Sequence, residues 1–402
     1  MRKGLLGVLT AAVGIGPVIV FGLSAFSSLL ISELSFTEGQ IGLLASVCFG
    51  GATLSALILG RLSDYMSDWS QLTIVFGGAI ASFFLVASAS SYSTFLVAMV
   101  LSGVAMAMST PFTNRVIVQM VPQSKRSQWA GVKQSGVQFG QFIVGFAFPA
   151  LAIALGWRET LIIGGAASLV MLVISIPIVA LNRKHHPQPA GRTSRQRSSP
   201  PQPVPPTPLA GGTGRTWRRT VWLLAAVSFG AGLGSQTASV YLPLFAQERL
   251  GLSLVGGGMT LTVSGLLGVL ARLVWGWLVD RGVKYERVLV LLGFLAVLGG
   301  VSLWASGVFG SLILLWLGVS LNGISALAVN VMVVTGVMSR VPPDHIGKAS
   351  GLAISGMYLG FTVGPAAAGF LISWSQSFSP AWLMITACYL LAFVLALFLT
   401  RR

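Results

Sequence analysis

Twelve apolar runs, each long enough to cross a lipid bilayer, constrain this chain more than any other feature of its sequence. A bilayer core about 30 Å thick needs roughly 20 predominantly apolar residues of α-helix to span it. Only 8% of the residues are charged, against roughly 25% in soluble domains. The runs lie at 5–30, 39–61, 71–91, 94–120, 127–154, 158–181, 220–245, 253–279, 287–306, 309–337, 347–373 and 380–400. They predict an all-α membrane protein with twelve transmembrane helices.

The basic residues are distributed unequally between the two sides of these spans. There are 25 Lys and Arg against 9 Asp and Glu, a net charge of +16 that in a soluble protein would suggest nucleic acid as a partner. With twelve spans both termini share one side, and that side holds every basic residue except Arg158 and Arg249. Short loops rich in Lys and Arg stay in the cytoplasm. We therefore predict cytoplasmic termini, a multi-pass inner-membrane location in the lipid bilayer, and no nucleic-acid partner.

A proline-rich, basic stretch interrupts the runs at their midpoint. Residues 183–219 contain eight prolines, eight basic residues and no acidic residue. This composition cannot bury a core and predicts a flexible cytoplasmic linker, although a contact with anionic lipid or nucleic acid is an alternative. The linker separates an N-terminal six-helix bundle, residues 1–182, from a C-terminal six-helix bundle, residues 220–402.

The second bundle repeats motifs of the first. Gly60-Arg61-Leu62-Ser63-Asp64 lies on Gly276-Trp277-Leu278-Val279-Asp280 at an offset of 216 residues, and Val121-Pro122 lies on Val341-Pro342 at an offset of 220. Small residues and a loop proline recur at equivalent positions, which indicates a duplicated six-helix unit. Parallel repeats suit alternating access, because each half can rock as a body around a site between them.

These motifs resemble the major facilitator superfamily. Its loop after the second span has the pattern Gly-x-x-x-Asp-Arg-x-Gly. The matching residues here are Gly60 and Asp64, with Tyr65 in place of the arginine, and in the second copy Gly276, Asp280 and Arg281. The resemblance implies two pseudo-symmetric six-helix bundles forming a secondary transporter, with a central cavity lined mainly by the first, fourth, seventh and tenth helices. It also implies that the matching residues help to close the cytoplasmic side.

Three basic residues fall within the predicted spans. Lys133 lies about six residues into the fifth span, roughly 9 Å along the helix axis, and Arg115 and Arg272 reach similar depths in the fourth and eighth. A Lys or Arg at mid-helix costs roughly 2.5–3.5 kcal/mol, so such residues usually face a wet cavity or a partner. We predict that Lys133, with Arg115 and Arg272, binds a small anion such as a carboxylate. Alternatively, they snorkel to the interface or pair with Asp64 as a gate.

The counterparts of these three cations in the other half are uncharged. They are Thr335 for Arg115, Ala353 for Lys133 and Ala56 for Arg272. The scaffold itself therefore does not require the charges.

Polar side chains within the spans are further candidates for binding a solute. Gln134, Gln138 and Gln141 share one face of the fifth helix, because their spacing is i, i+4, i+7. The other candidates are Asn114 in the fourth span, Asn322 and Asn330 in the tenth, and Tyr358 in the eleventh. Each could orient a ligand, but polar residues also join neighbouring helices.

Glu33 and Glu38 are the first candidates for proton coupling, although both fall at predicted outer ends of spans. Proton coupling usually depends on a buried carboxylate or histidine, and no candidate of either kind falls at mid-span. Ser35-Phe36-Thr37-Glu38 also matches a capping box that would open the second helix. A carboxylic acid substrate could instead carry the proton itself.

The sequence favours a transporter over an enzyme. It has no His-Glu-x-x-His, Cys-x-x-Cys or phosphate-binding loop, so we predict no cofactor and no metal, with energy drawn from an ion or solute gradient. The leading hypothesis is a monomeric secondary transporter that moves a small organic anion together with a co-transported ion such as a proton. The alternatives are a multidrug or sugar exporter working as a proton antiporter, and a membrane sensor that does not transport.

Overall fold

The described residues fold into helices, most of them long and apolar. The computed structural model describes residues 4–122, 125–184, 214–342 and 345–400. Over these residues it is all-helical, and it has twelve helical spans long and apolar enough to cross a membrane, which confirms the predicted number. Residues 185–213 of the predicted linker lie outside the described residues, whereas its two ends are helical.

Eight helices form the first half, because a short helix follows the first span and the fifth span is divided in two. They are α1 (Leu5–Ala25), α2 (Ser27–Leu34), α3 (Glu38–Leu62), α4 (Asp68–Ala87), α5 (Tyr92–Met120), α6 (Arg126–Gln134), α7 (Gly136–Leu155) and α8 (Trp157–Lys184).

Seven helices form the second half, in which the tenth span is divided. They are α9 (Gly214–Glu248), α10 (Leu254–Asp280), α11 (Tyr285–Phe309), α12 (Leu312–Ile324), α13 (Val329–Arg340), α14 (Ile346–Ser375) and α15 (Ser379–Thr400), with a 3₁₀ turn at Ala326–Ala328 between α12 and α13.

The capping box at the start of α3 is shifted by two residues from the prediction. Thr37 is the N-cap: its side chain accepts from the Gln40 amide, and the Gln40 side chain accepts from the Thr37 amide. Ser35 has φ +54, the left-handed conformation, and so terminates α2 instead of opening α3. The prediction of Ser35 and Glu38 as the capping pair was wrong, because Gln at the third helical position makes the reciprocal bond as well as Glu does.

The repeat is visible in the backbone of the two equivalent loops. Val121 has φ −111 and ψ 131, and Val341 has φ −106 and ψ 135. The amide of Lys125 donates to the carbonyl of Pro122, and the amide of His345 donates to that of Pro342, both at 2.9 Å. Residues at equivalent positions, 220 residues apart, thus form the same turn.

Two helix breaks depart from this symmetry, and neither was predicted. Ser135 separates α6 from α7, whereas its counterpart Ser355 lies within the continuous helix α14. Residues 325–328 interrupt the tenth span, whereas the counterpart residues 105–108 lie within the continuous helix α5. Breaks within spans are tolerated where they line a cavity or are covered by protein, and short 3₁₀ segments often mark functional positions.

The halves pack along two seams, α3 against α14 and α7 against α10. At the second seam the backbones approach closely, since a Cβ added to Gly265 would lie 2.8 Å from the Gln138 carbonyl oxygen and the Phe142 amide nitrogen. Near the turns at 35–37 and 249–253, the predicted outer end, side chains bridge the halves. Ser28 donates to Gln247 (2.7 Å), the Gly39 amide to Ser373 (3.0 Å), and the Ala366 amide to Ser46 (3.0 Å).

Candidate functional site

A central cavity lies between the two halves at the level of the two helix breaks. The space between its lining residues is about 840 Å³, which includes space open to solvent. The seventh span contributes the most lining, with α1, α5 and the tenth span, as the resemblance implied. The fifth span, α10 and α14 also contribute, because the two seams run along the cavity.

The structure brings together six of the ten predicted binding residues around this cavity. Those that line it are Gln134, Gln138, Gln141, Arg272, Asn330 and Tyr358. Lys133, Arg115, Asn114 and Asn322 are not among its lining residues.

Arg272 presents its guanidinium to the cavity from α10. Its Nε donates to the carbonyl of Leu327 (3.1 Å) and its Nη1 to the carbonyl of Gln134 (2.8 Å). Leu327 lies in the 3₁₀ turn of the tenth span and Gln134 is the last residue of α6, so one side chain binds both helix breaks and both halves. A guanidinium has five N–H donors, which leaves three for a ligand. Within the described ranges no carboxylate pairs with Arg272.

Lys133 is buried beside the cavity, within the first half. The residue is 3% exposed, and Nζ donates to Thr113 Oγ1 (2.7 Å) and Asn114 Oδ1 (2.6 Å). These neutral oxygens orient the ammonium group but do not neutralise it. Among the residues that the structure describes, Lys133 has no acidic partner.

Arg115 holds the loop that follows α3. Its Nη1 donates to the carbonyls of Ser63 (3.1 Å) and Met66 (2.8 Å), and its Nε lies 3.5 Å from Asp68 Oδ1. Gln71 donates to the same two carbonyls. Arg115 thus pairs with Asp68, and not with Asp64 as the sequence-based alternative had it. The pair connects the loop to α5 within the first half.

The predicted gate residues lie at the end of the bundle away from the outer contacts. Gly60 and Asp64 are at the end of α3, and Gly276, Asp280 and Arg281 are at the end of α10. Arg281 stacks on Trp277, 3.9 Å from the ring centroid. None of the five lines the cavity, so their role in closure stays a prediction.

Two of the predicted polar residues are used in packing. Gln141 donates to Ser264 (2.9 Å) and Ser239 (3.4 Å), which joins the halves, and Asn322 accepts from Tyr389 (2.6 Å). This is the helix-joining role that polar residues often have in membrane proteins.

Four amide side chains that line the cavity do not join helices through hydrogen bonds in this way. The side chains of Gln134, Gln138, Asn330 and Gln236 line the cavity and make no hydrogen bond to the described residues, and buried Gln138 Oε1 and Gln236 Nε2 are among the unsatisfied atoms. Sequence reasoning missed Gln236, although Ser235-Gln236-Thr237 is a polar triplet at the middle of an otherwise apolar span. Buried polar groups are normally paired, so these four amides are candidates for contacts with a solute.

One wall of the cavity is aromatic. Phe49 of α3 packs edge-to-face on Phe361 of α14, with centroids 5.1 Å apart, and Phe361 packs on Tyr358 at 5.7 Å. All three line the cavity. They belong to the α3/α14 seam, whereas Gln138 and Arg272 belong to the α7/α10 seam.

The acidic side chains of the described ranges lie outside the cavity lining. Glu33 accepts from the Trp157 indole at the outer end of the first half (2.7 Å). Glu38 lies across the α3/α14 seam: its carboxylate accepts from Ser373 (3.1 Å), and its carbonyl accepts from Tyr241 (2.7 Å). Within the described ranges, no three His, Cys, Asp or Glu residues group as a metal site would require.

Comparison with known sequences agrees with this architecture. The sequence model of the Major Facilitator Superfamily matches residues 9–357. A gentisate transporter of Corynebacterium glutamicum is 25% identical over 95% of this chain and 84% of its own length. A hexuronate transporter of Bacillus subtilis is 22% identical over 90% of this chain and 86% of its own length.

A solved structure has the same fold. A bacterial homologue of the human lysosomal transporter Spinster, in an inward-facing and occupied conformation, superposes with a TM-score of 0.74 over 100% of this chain and 97% of that chain, at 15% identity. At this identity the similarity shows the fold alone.

Proposed function

The chain belongs to the Major Facilitator Superfamily, and on that premise we propose that it is a secondary active transporter of small organic anions. The family and the similar curated proteins are transporters, not enzymes, and they carry small-molecule solutes. We place the protein in the inner membrane with both termini in the cytoplasm, as the loop charges favour. Because the cavity is complete within one chain, we propose that the monomer transports.

The observation that carries the proposal is Arg272. It places a guanidinium at membrane depth in the central cavity, with two backbone carbonyls as partners. Carbonyls orient the group but leave its charge uncompensated, and such a charge in low dielectric favours a bound anion. The remaining donors suit a carboxylate, which accepts from Arg in a planar, two-point geometry.

The positions of the contacts between the halves support an inward-open state. Every hydrogen bond that joins the halves within the described ranges lies at the predicted outer end or at cavity level. Opening the outer end would separate Glu38 from Ser373 and Tyr241. We propose that a proton on Glu38, or on the substrate, couples transport to the gradient, because protonated Glu38 would accept more weakly from Ser373.

Transport by the purified protein in proteoliposomes tests the function. We expect saturable uptake of labelled carboxylates that depends on an imposed pH or potential gradient. Replacing Arg272 with Gln should lower kcat/KM by about 30-fold to 4,000-fold, since losing one partner of a desolvated charge pair costs about 2–5 kcal/mol. The matched control is Arg219→Gln, which removes one charge from an exposed position at the start of α9.

The same panel separates the alternatives. Saturable flux of sugars or cationic dyes without carboxylate flux would identify an exporter of another class, and binding without flux under any gradient would identify a sensor. Either result contradicts the proposal. Equal loss of carboxylate transport in Arg272→Gln and Arg219→Gln would contradict the role of Arg272.

A further inference from the structure

We propose that the solute is a flat, hydroxylated carboxylate, bound with its carboxylate on Arg272 and its ring against the aromatic wall formed by Phe49, Tyr358 and Phe361. This inference rests on the proposed function and narrows it. The two relatives described above carry an aromatic acid and a sugar acid by name, so they do not decide the shape of the solute. The arrangement of the cavity walls does.

The charged end of the solute is placed by the α7/α10 seam. Carbonyls from both helix breaks accept hydrogen bonds from Arg272. These two bonds fix the position of the guanidinium and therefore of its remaining N–H donors. A braced guanidinium loses little further rotamer freedom when it binds a carboxylate. The anion is therefore anchored at this seam.

The body of the solute faces the other seam. The edge-to-face pairs of Phe361 with Phe49 and with Tyr358 join three rings, of which Phe361 and Tyr358 are partly exposed, whereas Phe49 is 2% exposed and packs on Phe361. Aromatic rings attract other rings in offset or edge-to-face contact beyond the gain from burying area. A flat ring gains this contact, whereas a saturated ring or a flexible chain does not.

The polar substituents of the solute are specified by two buried amides. Gln138 is 3% exposed and Gln236 is 5% exposed, both line the cavity, and neither side chain bonds to any described residue. Each amide offers a donor and an acceptor. A hydroxyl group both donates and accepts, so a hydroxylated ring pairs these amides, while an unsubstituted ring leaves them desolvated and unpaired.

Competition and uptake with four monocarboxylates of equal charge test the inference in proteoliposomes. The probes are a hydroxybenzoate, benzoate, cyclohexanecarboxylate and hexanoate. We expect KM to rise by about 10-fold from the hydroxybenzoate to benzoate, the value of one hydrogen bond. It should rise by about 5-fold again from benzoate to cyclohexanecarboxylate and hexanoate, which lack ring–ring contact.

Cavity variants assign these preferences to their residues. Gln138→Leu and Gln236→Leu should each reduce the preference for hydroxybenzoate over benzoate by several-fold, with a lower KM for benzoate, because benzoate no longer leaves that amide unpaired. Phe361→Leu should remove the preference for benzoate over cyclohexanecarboxylate. The matched controls are Gln128→Leu and Phe139→Leu, which change exposed side chains outside the cavity and should leave both preferences unchanged.

The outcomes separate this inference from the proposed function. Carboxylate uptake with equal KM for all four probes would overturn the flat, hydroxylated solute and leave an anion transporter standing. Absence of any carboxylate flux from the folded wild-type protein would overturn both. Thermal unfolding of each variant in detergent identifies those that fail to fold, and for these the four-probe comparison on wild-type protein decides.

Discussion

Lys133 and Arg272 are both cations at membrane depth, one in each half, and their surroundings differ. Lys133 donates two of its three N–H groups to Thr113 and Asn114 of its own half, and it is 3% exposed. Arg272 is held by a carbonyl from each half and keeps a face towards the cavity. Similar depth in the membrane thus goes with different surroundings: Lys133 is buried within one bundle, whereas Arg272 lines the cavity between the two. On the proposed function, we expect only Arg272 to bind the solute directly.

Among changes that keep the charge of Arg272 or lie outside the cavity, the largest effect should come from Arg272→Lys, which keeps the charge and removes the planar fork. A lysine cannot bind the Gln134 and Leu327 carbonyls and a carboxylate with one fixed plane. We expect kcat/KM for carboxylate uptake to fall by about 100-fold, equivalent to about 2.7 kcal/mol. The reciprocal change is Lys133→Arg, which keeps the charge and replaces the ammonium with a guanidinium. Activity within 3-fold of wild type in Arg272→Lys would show that charge alone suffices and would erase the distinction between the two sites.

An intermediate effect is expected on stability when the pairs that hold the loops are broken. Arg115 with Asp68 in the first half and Arg340 with Glu286 in the second are partly buried ion pairs outside the cavity. Arg115→Gln and Arg340→Gln should each lower the free energy of unfolding by about 1–3 kcal/mol without changing KM. Thermal unfolding and uptake assays measure the two quantities. If KM rises in Arg115→Gln but not in Arg340→Gln, Arg115 contributes to substrate binding, as the sequence suggested.

The smallest effect should follow from Lys133→Gln. The substituted amide can still donate to Thr113 or Asn114, and the lost charge does not line the cavity, so its influence on a bound anion is only at longer range. We expect KM for carboxylates to rise by less than about 3-fold in the uptake assay. A rise comparable with that in Arg272→Gln would make Lys133 part of the anion site and remove the contrast between the halves.

Much of the fold was predictable, because transmembrane helices follow from local sequence. The apolar length of each run, the repeated loop motifs and the shared helical face of Gln134, Gln138 and Gln141 are short-range properties. All three glutamines line the cavity. The hydrogen bonds from Gln141 to Ser239 and Ser264 were not predictable, because these partners are 98 and 123 residues away in the sequence.

The twelve spans, the duplication and the cations within the spans could all be predicted from the sequence, because they depend on apolar length and residue type. Which of these cations lines the cavity depends on tertiary packing. The rotation of a helix about its axis and the breaks at Ser135 and at 325–328 depend on the neighbouring helices. Through that packing, Arg272 reaches both breaks while Lys133 is enclosed within its own half.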